Sequence, residues 1–195
     1  MTRRRERAPW HFAGAVSAGG TPPVLEFPEV AFAGKSNVGK SSLINNITRT
    51  RGLARTSRTP GRTQQINFFL GIEEIVFADL PGYGWARAPR PVREAWRPLV
   101  EEYLVGRETL RGVVVIVDSR RGLGDEDRQL LDFLAEHEIP VVPVLSKIDK
   151  LKQGERVRQL RTAKEELDGV IPFSAMTGEG ERDLWRRLTD LAALG

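Results

Sequence analysis

The eight residues from Gly34 to Ser41 constrain this chain most, because they fit the phosphate-loop pattern G-x-x-x-x-G-K-[ST]. The short apolar stretch 29–33 before them predicts a buried strand, and residues 42–47 after them predict the first turns of a helix. In that position the glycines let the backbone turn its N–H groups toward a polyphosphate, and the helix N-terminus adds positive potential. Lys40 would reach the β- and γ-phosphates, and the Ser41 hydroxyl would bind Mg²⁺. An ordinary glycine-rich turn is the alternative, and the flanking pattern disfavours it.

The composition fits a single globular domain with a modest positive charge. The chain has 195 residues and a net charge of +4, so an acidic partner such as nucleic acid is compatible with it. It has no cysteine, which excludes disulfides and thiol catalysis and suits a reducing compartment, and its two histidines lie far apart, which disfavours a zinc site. The first residues lack the apolar core of a signal peptide. No apolar run is close in length to the roughly 20 residues that a membrane-spanning helix needs. We therefore expect a cytoplasmic protein without a membrane partner.

The order of apolar runs along the chain predicts a doubly wound α/β sheet. Residues 1–23 carry four arginines near their start and predict a flexible basic segment, so we expect one domain over 24–195. Two adjacent short runs predict an antiparallel hairpin, after which strand and helix patterns alternate with right-handed crossovers. The predicted strands are 29–33, 66–70, 74–79, 113–118, 141–145 and 170–173, and the predicted helices begin at 42 or span 92–105, 125–136, 154–167 and 183–194.

Four motifs fall at or just after the carboxyl ends of these strands, which is where a sheet of this kind binds ligands. They are Gly34–Ser41, Asp79–Gly82, Ser146–Asp149 and Ser174–Ala175. In the second motif the aspartate would hold Mg²⁺ through water, and the glycine N–H could approach a γ-phosphate closely. Taken alone, that motif also fits a plain Pro-Gly turn. In this order the four motifs resemble the set found in GTP-binding proteins.

The third and fourth motifs resemble the guanine-recognition motifs of GTP-binding proteins. Asp149 can accept hydrogen bonds from the N1–H and the exocyclic amine of guanine, a donor pair that adenine lacks, and the stem of Lys147 can lie across the purine. Ser174 and Ala175 resemble the loop whose backbone N–H meets the guanine carbonyl oxygen. Ser146 stands where such motifs usually carry Asn or Thr. We expect the loss of that bridging amide to weaken binding more than it changes base choice.

The polar segment 48–65 is long for a loop inside a compact domain, which predicts a functional role. A GTPase switch needs one threonine that closes over Mg²⁺ and the γ-phosphate. The spacing leaves Thr59 and Thr63 equally open as that residue.

The runs 59–64 and 79–84, together with 29–41, resemble the EngB family of bacterial ribosome-biogenesis GTP-binding proteins, and the resemblance extends from about Phe12 to the last helix. It implies a three-layer αβα phosphate-loop GTPase domain whose mostly parallel, six-stranded sheet has one antiparallel strand. It also implies Mg²⁺-dependent binding of GTP and GDP, a role in late assembly of the large ribosomal subunit, and a requirement for normal cell division and septation. The implied partner is the large subunit or its precursor, and we expect the protein to be a monomer that also contacts ribosomal RNA.

The resemblance carries site residues over by motif. It favours Thr63 as the switch threonine, assigns Mg²⁺ to Ser41 and Thr63 with Asp79 acting through water, and gives catalytic roles to Lys40, Thr63 and Gly82. The implied nucleotide contacts are Gly34, Lys35, Ser36, Asn37, Val38, Gly39, Lys40, Ser41, Gly61, Arg62, Thr63, Gln64, Gln65, Asp79, Leu80, Pro81, Gly82, Ser146, Lys147, Ile148, Asp149, Phe173, Ser174 and Ala175.

Two positions bear on the rate of hydrolysis. Tyr83 stands where Ras-like proteins carry the glutamine that orients water, so we expect slow hydrolysis without a partner or a cation. Related GTPases with asparagine at the position of Asn37 place K⁺ beside the phosphates; the alternative is that Asn37 only shapes the loop.

Arginines cluster in and beside the expected nucleotide-sensitive loops, and they could contact ribosomal RNA phosphates or simply be solvated. Two other functions stay open: a phosphate-loop nucleotide kinase, and a GTPase of division or membrane machinery without a ribosomal role. The clustered residues are Arg49, Arg51, Arg55, Arg58, Arg62, Arg87, Arg90, Arg93 and Arg97.

Overall fold

A seven-stranded sheet runs through the part of the chain that the computed structural model describes, which is residues 10–55, 65–71, 74–83 and 90–193. Its spatial order is β1-β3-β4-β2-β5-β6-β7, and only β3 runs against the other described strands. The expectation of a mostly parallel sheet with one antiparallel strand is therefore confirmed. The strands are β1 His11–Ser17, β2 Glu29–Gly34, β3 Gln65–Leu70, β4 Val76–Asp79, β5 Leu110–Asp118, β6 Val141–Ser146 and β7 Ile171–Pro172.

Helices cover both faces of the sheet, which gives the expected three layers. Residues of β5 show the division: Val114 and Ile116 pack with α1 and α5 on one face, whereas Val113 and Val115 pack with α2 and α3 on the other. Because β5 is buried on both faces, it is apolar at every central position rather than at alternate ones. The helices are α1 Lys40–Ile47, α2 Arg90–Gly106, α3 Asp125–Glu136, α4 Gln153–Glu166 and α5 Glu181–Ala192, and a 3₁₀ turn spans Ile148–Lys150.

The expectation of a flexible segment over 1–23, with the domain beginning at 24, is wrong from residue 10 onward. Trp10 is 6% exposed and stacks on Phe77 with ring centroids 4.1 Å apart. The next seven residues form β1, which pairs with β3 and brings the strand number from six to seven. β1 has a weak sequence signature because it is an edge strand, with Gly14 at an irregularity in its pairing. Residues 1–9 lie outside the described residues.

The sheet brings the carboxyl ends of its parallel strands to one edge. Asp118 at the end of β5 lies opposite Ser146 at the end of β6, and Lys35 just after β2 forms a bridge with Tyr83 just after β4. The predicted motifs therefore share this edge. Within the described ranges, no helix has the length and apolar character needed to cross a membrane.

Candidate functional site

The phosphate loop connects β2 to α1, as the sequence predicts. Gly39 precedes the first helical residue with φ 107°, a left-handed conformation that suits glycine. A β-carbon on Gly34 would lie 2.8 Å from a methyl group of Val38 and 2.9 Å from the carbonyl oxygen of Ile116, so the loop must leave β2 through a glycine. These two constraints produce a tight loop at the N-terminus of α1, which is suited to an anion.

Lys40 and Asp79 meet at the centre of the site. The Lys40 ammonium donates a hydrogen bond to Asp79 Oδ1, and both side chains are largely buried. A bound polyphosphate would attract Lys40, and Mg²⁺ would attract Asp79, so nucleotide binding would replace this ion pair with two new ones.

The oxygen donors at this position suit Mg²⁺. The hydroxyl of Ser41 and the carboxylate of Asp79 are hard ligands, and Mg²⁺ usually takes one or two protein ligands beside phosphates and waters. The described residues contain no cluster of three or more His, Cys, Asp or Glu side chains that could hold a metal without phosphate. The expected third contact, Thr63, lies outside the described residues.

The Asp79–Gly82 segment is docked directly on the phosphate loop. A β-carbon on Gly82 would lie 2.9 Å from Ser36 Oγ and 3.3 Å from Ser36 Cα. In addition, Ser36 N–H donates to the Tyr83 carbonyl oxygen over 3.0 Å. Only a glycine allows this approach, which puts the backbone after β4 directly against the phosphate loop.

The predicted base-reading residues are also brought together. Ser174, fully buried, donates from Oγ to Asp149 Oδ1 over 2.7 Å and accepts from the Met176 N–H. Burial raises the pKa of Asp149, but the hydrogen bonds from Ser174 and Lys150 outweigh it and hold that pKa below its usual range. Asp149 is therefore a fixed, ionised acceptor.

Ser146 ties β6 to the phosphate loop. Its hydroxyl lies 2.7 Å from the Val38 carbonyl oxygen, to which it donates, and 3.1 Å from the Val117 carbonyl oxygen. The Ser146 hydroxyl thus links β6 to the phosphate loop and to β5.

Sequence reasoning missed Asp118 as a member of the site. Its carboxylate accepts from Arg120 Nε over 2.9 Å and from Lys147 Nζ over 3.0 Å, while the same ammonium also donates to the Asn37 carbonyl oxygen. Burial raises the pKa of Asp118, but the hydrogen bonds from Arg120 and Lys147 lower it well below its usual range. Its signal was its place at the carboxyl end of β5, although it fits no motif.

Some of the other predicted nucleotide contacts lie in the described part of the chain, and some lie outside it. Ile148 and Phe173 are buried, and the Ala175 carbonyl oxygen accepts from Asn46 Nδ2 of α1 over 3.2 Å. Gln65 is the first residue of β3. Several predicted residues fall outside the described residues, namely Thr59, Gly61, Arg62, Thr63 and Gln64, together with Arg58 and Arg87 of the arginine clusters.

Comparison with known proteins agrees with this geometry. Residues 29–147 match the family described as 50S ribosome-binding GTPase. The chain is 48% identical over 169 residues to the probable GTP-binding protein EngB of Solibacter usitatus, across 87% of this chain and 88% of that protein. It is 45% identical over 178 residues to the probable EngB protein of an Exiguobacterium species, across 89% and 90% of the two chains. The chain belongs to the EngB family of GTP-binding proteins.

A solved structure supports the EngB assignment at the level of the fold. The crystal structure of a probable EngB protein superposes with a TM-score of 0.68 at 26% identity, covering 86% of this chain and all of that one. As an EngB-family protein the chain binds guanine nucleotides and is a GTPase, and the resemblance noted in the sequence is confirmed.

Proposed function

We propose that this EngB-family GTPase is a Mg²⁺-dependent, nucleotide-gated assembly factor for the large ribosomal subunit, and that cells need it for normal division and septation. The observation that carries the proposal is the sheet edge where the Lys40–Asp79 pair and the Asp149–Ser174 pair flank one phosphate loop. One pair suits the phosphates and the metal, and the other suits guanine. A cytoplasmic location and a monomeric state belong to the same proposal.

The proposed metal ligands are Ser41 and Thr63, with Asp79 acting through water. Mg²⁺ would supply charge to the β- and γ-phosphates. The chain's own part is to release Asp79 from Lys40, so that the ammonium can turn toward the phosphates.

Slow hydrolysis is supported by the surroundings of Tyr83. Its side chain is buried, and its hydroxyl donates to Asp127 Oδ1 over 2.9 Å. A side chain held in this way does not orient the attacking water, so the reset from GTP to GDP would be slow until a partner or a cation assists. K⁺ beside Asn37 is the proposed cation, and equal turnover in K⁺ and in Na⁺ would exclude it.

The ribosomal role is supported by the family description, 50S ribosome-binding GTPase, and by the net charge of +4. Among the described arginines, Arg51 and Arg55 are exposed near the end of α1, where they could contact RNA phosphates. A phosphate contact of this kind weakens with added salt.

Titration calorimetry with GDP and with ADP, both in Mg²⁺, tests the base-reading part of the proposal. We expect clear preference for GDP, and we expect Asp149→Asn to lose guanine binding and to gain xanthine binding, because an amide donates where the carboxylate accepted. Equal or tighter binding of ADP would contradict the guanine assignment and reopen the kinase alternative.

Co-sedimentation tests the ribosomal part. Protein loaded with the β,γ-imido analogue of GTP should sediment with large ribosomal subunits more than GDP-loaded protein does, and less so as salt rises. Association with anionic lipid vesicles instead of subunits would favour a GTPase of membrane or division machinery. Equal binding to subunits in the two nucleotide states would contradict the proposal that the nucleotide controls this interaction.

A further inference from the structure

One buried carboxylate joins three elements beside the phosphate loop. Asp127, in the first turn of α3, is 2% exposed. Its Oδ1 accepts from the Tyr83 hydroxyl over 2.9 Å, and its Oδ2 accepts from Lys35 Nζ over 3.0 Å and from the Gly124 N–H over 2.8 Å. We call Asp127, Tyr83 and Lys35 the Asp127 junction.

Within the Asp127 junction, Tyr83 is held both by its backbone and by its side chain. Its backbone forms a bridge with Lys35 and accepts from the Ser36 N–H, and its side chain is held by Asp127. Gly82, one residue earlier, is packed against Ser36. The position of Gly82 over the phosphate loop is therefore fixed from the side of α3 as well as from the phosphate loop itself.

The charges in the junction are mutually dependent. Burial, and then the negative charge of Asp127, raise the pKa of Tyr83 well above its usual range, so its hydroxyl keeps its proton and donates. The Asp127 charge is balanced by Lys35 and by the N-terminal N–H groups of α3. Because a buried carboxylate without these donors is costly, Asp127, Tyr83 and Lys35 should move together.

We propose that Asp127 is a positioning residue for GTP: through Tyr83 it holds the Gly82 backbone N–H where the third phosphate must meet it, and through Lys35 it braces the facing side of the phosphate loop. This inference rests on the proposed function, because it requires that the protein distinguishes GTP from GDP. In the proposed site the phosphate loop would meet the α- and β-phosphates, whereas the γ-phosphate would also need Gly82. Preorganisation of Gly82 therefore adds to the affinity for GTP and not to that for GDP.

The test compares Asp127→Asn with the control Glu126→Gln. Both variants remove one negative charge from the first turn of α3. The Glu126 side chain is 49% exposed, however, and it makes the longer contact with Lys35, at 3.5 Å. For Asp127→Asn we expect the ratio of affinities, imido analogue of GTP over GDP, to fall about tenfold, the size of one lost charged hydrogen bond. GDP affinity should change less than threefold, and Glu126→Gln should match the wild type in both.

The affinity ratio separates positioning from mere stability, because a general loss of folded protein lowers both affinities alike. Tyr83→Phe should lower the ratio in the same direction, and in the Asp127→Asn background it should add little, since the two residues act through one contact. Asp127→Glu should restore part of the ratio.

Two outcomes would overturn the inference: an unchanged or increased ratio in Asp127→Asn, or a change no larger than that in Glu126→Gln. Failure of the proposed function is distinguishable, because then the wild-type protein itself would not prefer GDP over ADP or would not bind the imido analogue.

Discussion

Two serines lie at the carboxyl ends of β5 and β6 and differ in the hydrogen bonding of their hydroxyl groups. They therefore offer a matched pair of substitutions. Ser146 donates to the Val38 carbonyl oxygen of the phosphate loop, whereas the buried Ser119 hydroxyl has no hydrogen-bond partner within the described ranges. Ser146→Ala should weaken GDP binding about fivefold, because a net hydrogen bond contributes about 1 kcal/mol. Calorimetric titration with GDP measures this. Ser119→Ala should change the affinity less than twofold, and equal losses in the two variants would contradict the role of the bridge.

Asp118 gives a pH dependence whose sign follows from its contacts. Hydrogen bonds from Arg120 and Lys147 hold its pKa below its usual range in the folded protein. Its contribution to the free energy of unfolding is therefore present above the unfolded-state pKa of about 3.9 and is lost as the pH falls toward the folded-state pKa. Urea unfolding between about pH 5 and pH 2 should give a shallower acid loss for Asp118→Asn than for the wild type. If the free energy of unfolding fell equally with pH in the two proteins, the Asp118 carboxylate would make no contribution to stability.

The sequence predicted those site residues whose chemistry is written in a local motif. Lys40, Asp79 and Asp149 stand in short patterns after apolar strands, so their types and places could be read directly. Asp118 and Asp127 could not be read in this way. Their roles come from contacts with residues far along the chain, and those contacts exist only once the strands are side by side.

At the scale of elements, a buried ion cluster joins α2 to the start of β2. Glu29 is fully buried and accepts from Arg107 Nε and from the Tyr103 hydroxyl, each over 2.9 Å. Arg107 also donates to the Pro23 carbonyl oxygen, which fixes the segment before β2. The cluster lies at the opposite end of β2 from the phosphate loop, so its role is in stability.

Removal of Arg107 should test this cluster. Arg107→Leu leaves Glu29 buried with fewer donors and should lower the free energy of unfolding by about 3 kcal/mol, with little change in GDP affinity. Arg161→Ala, which breaks an exposed pair with Glu165 on α4, should cost less than about 1 kcal/mol. Urea unfolding and GDP titration of both variants measure the difference. A loss of GDP affinity in Arg107→Leu without a loss of stability would contradict this account.

The elements that were well predicted have strong periodicity or continuous apolar runs. α3 has the predicted bounds, Asp125–Glu136, and the hairpin of β3 and β4 is observed. β1 was missed because its alternation is weak and because its stability comes from β3, which lies far along the chain, and from the neighbouring Trp10.

At the scale of the whole molecule, nucleotide binding should be visible as folding stability. GDP at about one hundred times its dissociation constant should add about 2.7 kcal/mol to the free energy of unfolding, because it binds only the folded chain. Thermal unfolding should therefore shift upward by several degrees with GDP and Mg²⁺, and by less after the metal is removed with EDTA. The same concentration of ADP is the control, and an equal shift with ADP would contradict guanine selectivity.

The pairing of β1 with β3 has a consequence for how the chain is made. Ser17 lies opposite Gln65 and His11 opposite Leu70, so a strand synthesised at the beginning must wait roughly fifty residues for its partner. The phosphate loop and α1 are translated during that wait. β1 and β3 are nevertheless the first neighbouring strands to be complete, because the neighbours of β2 in the sheet are β4 and β5, which are made later. A nascent chain interrupted just after Leu70 therefore carries a phosphate loop whose own strand has no partner yet.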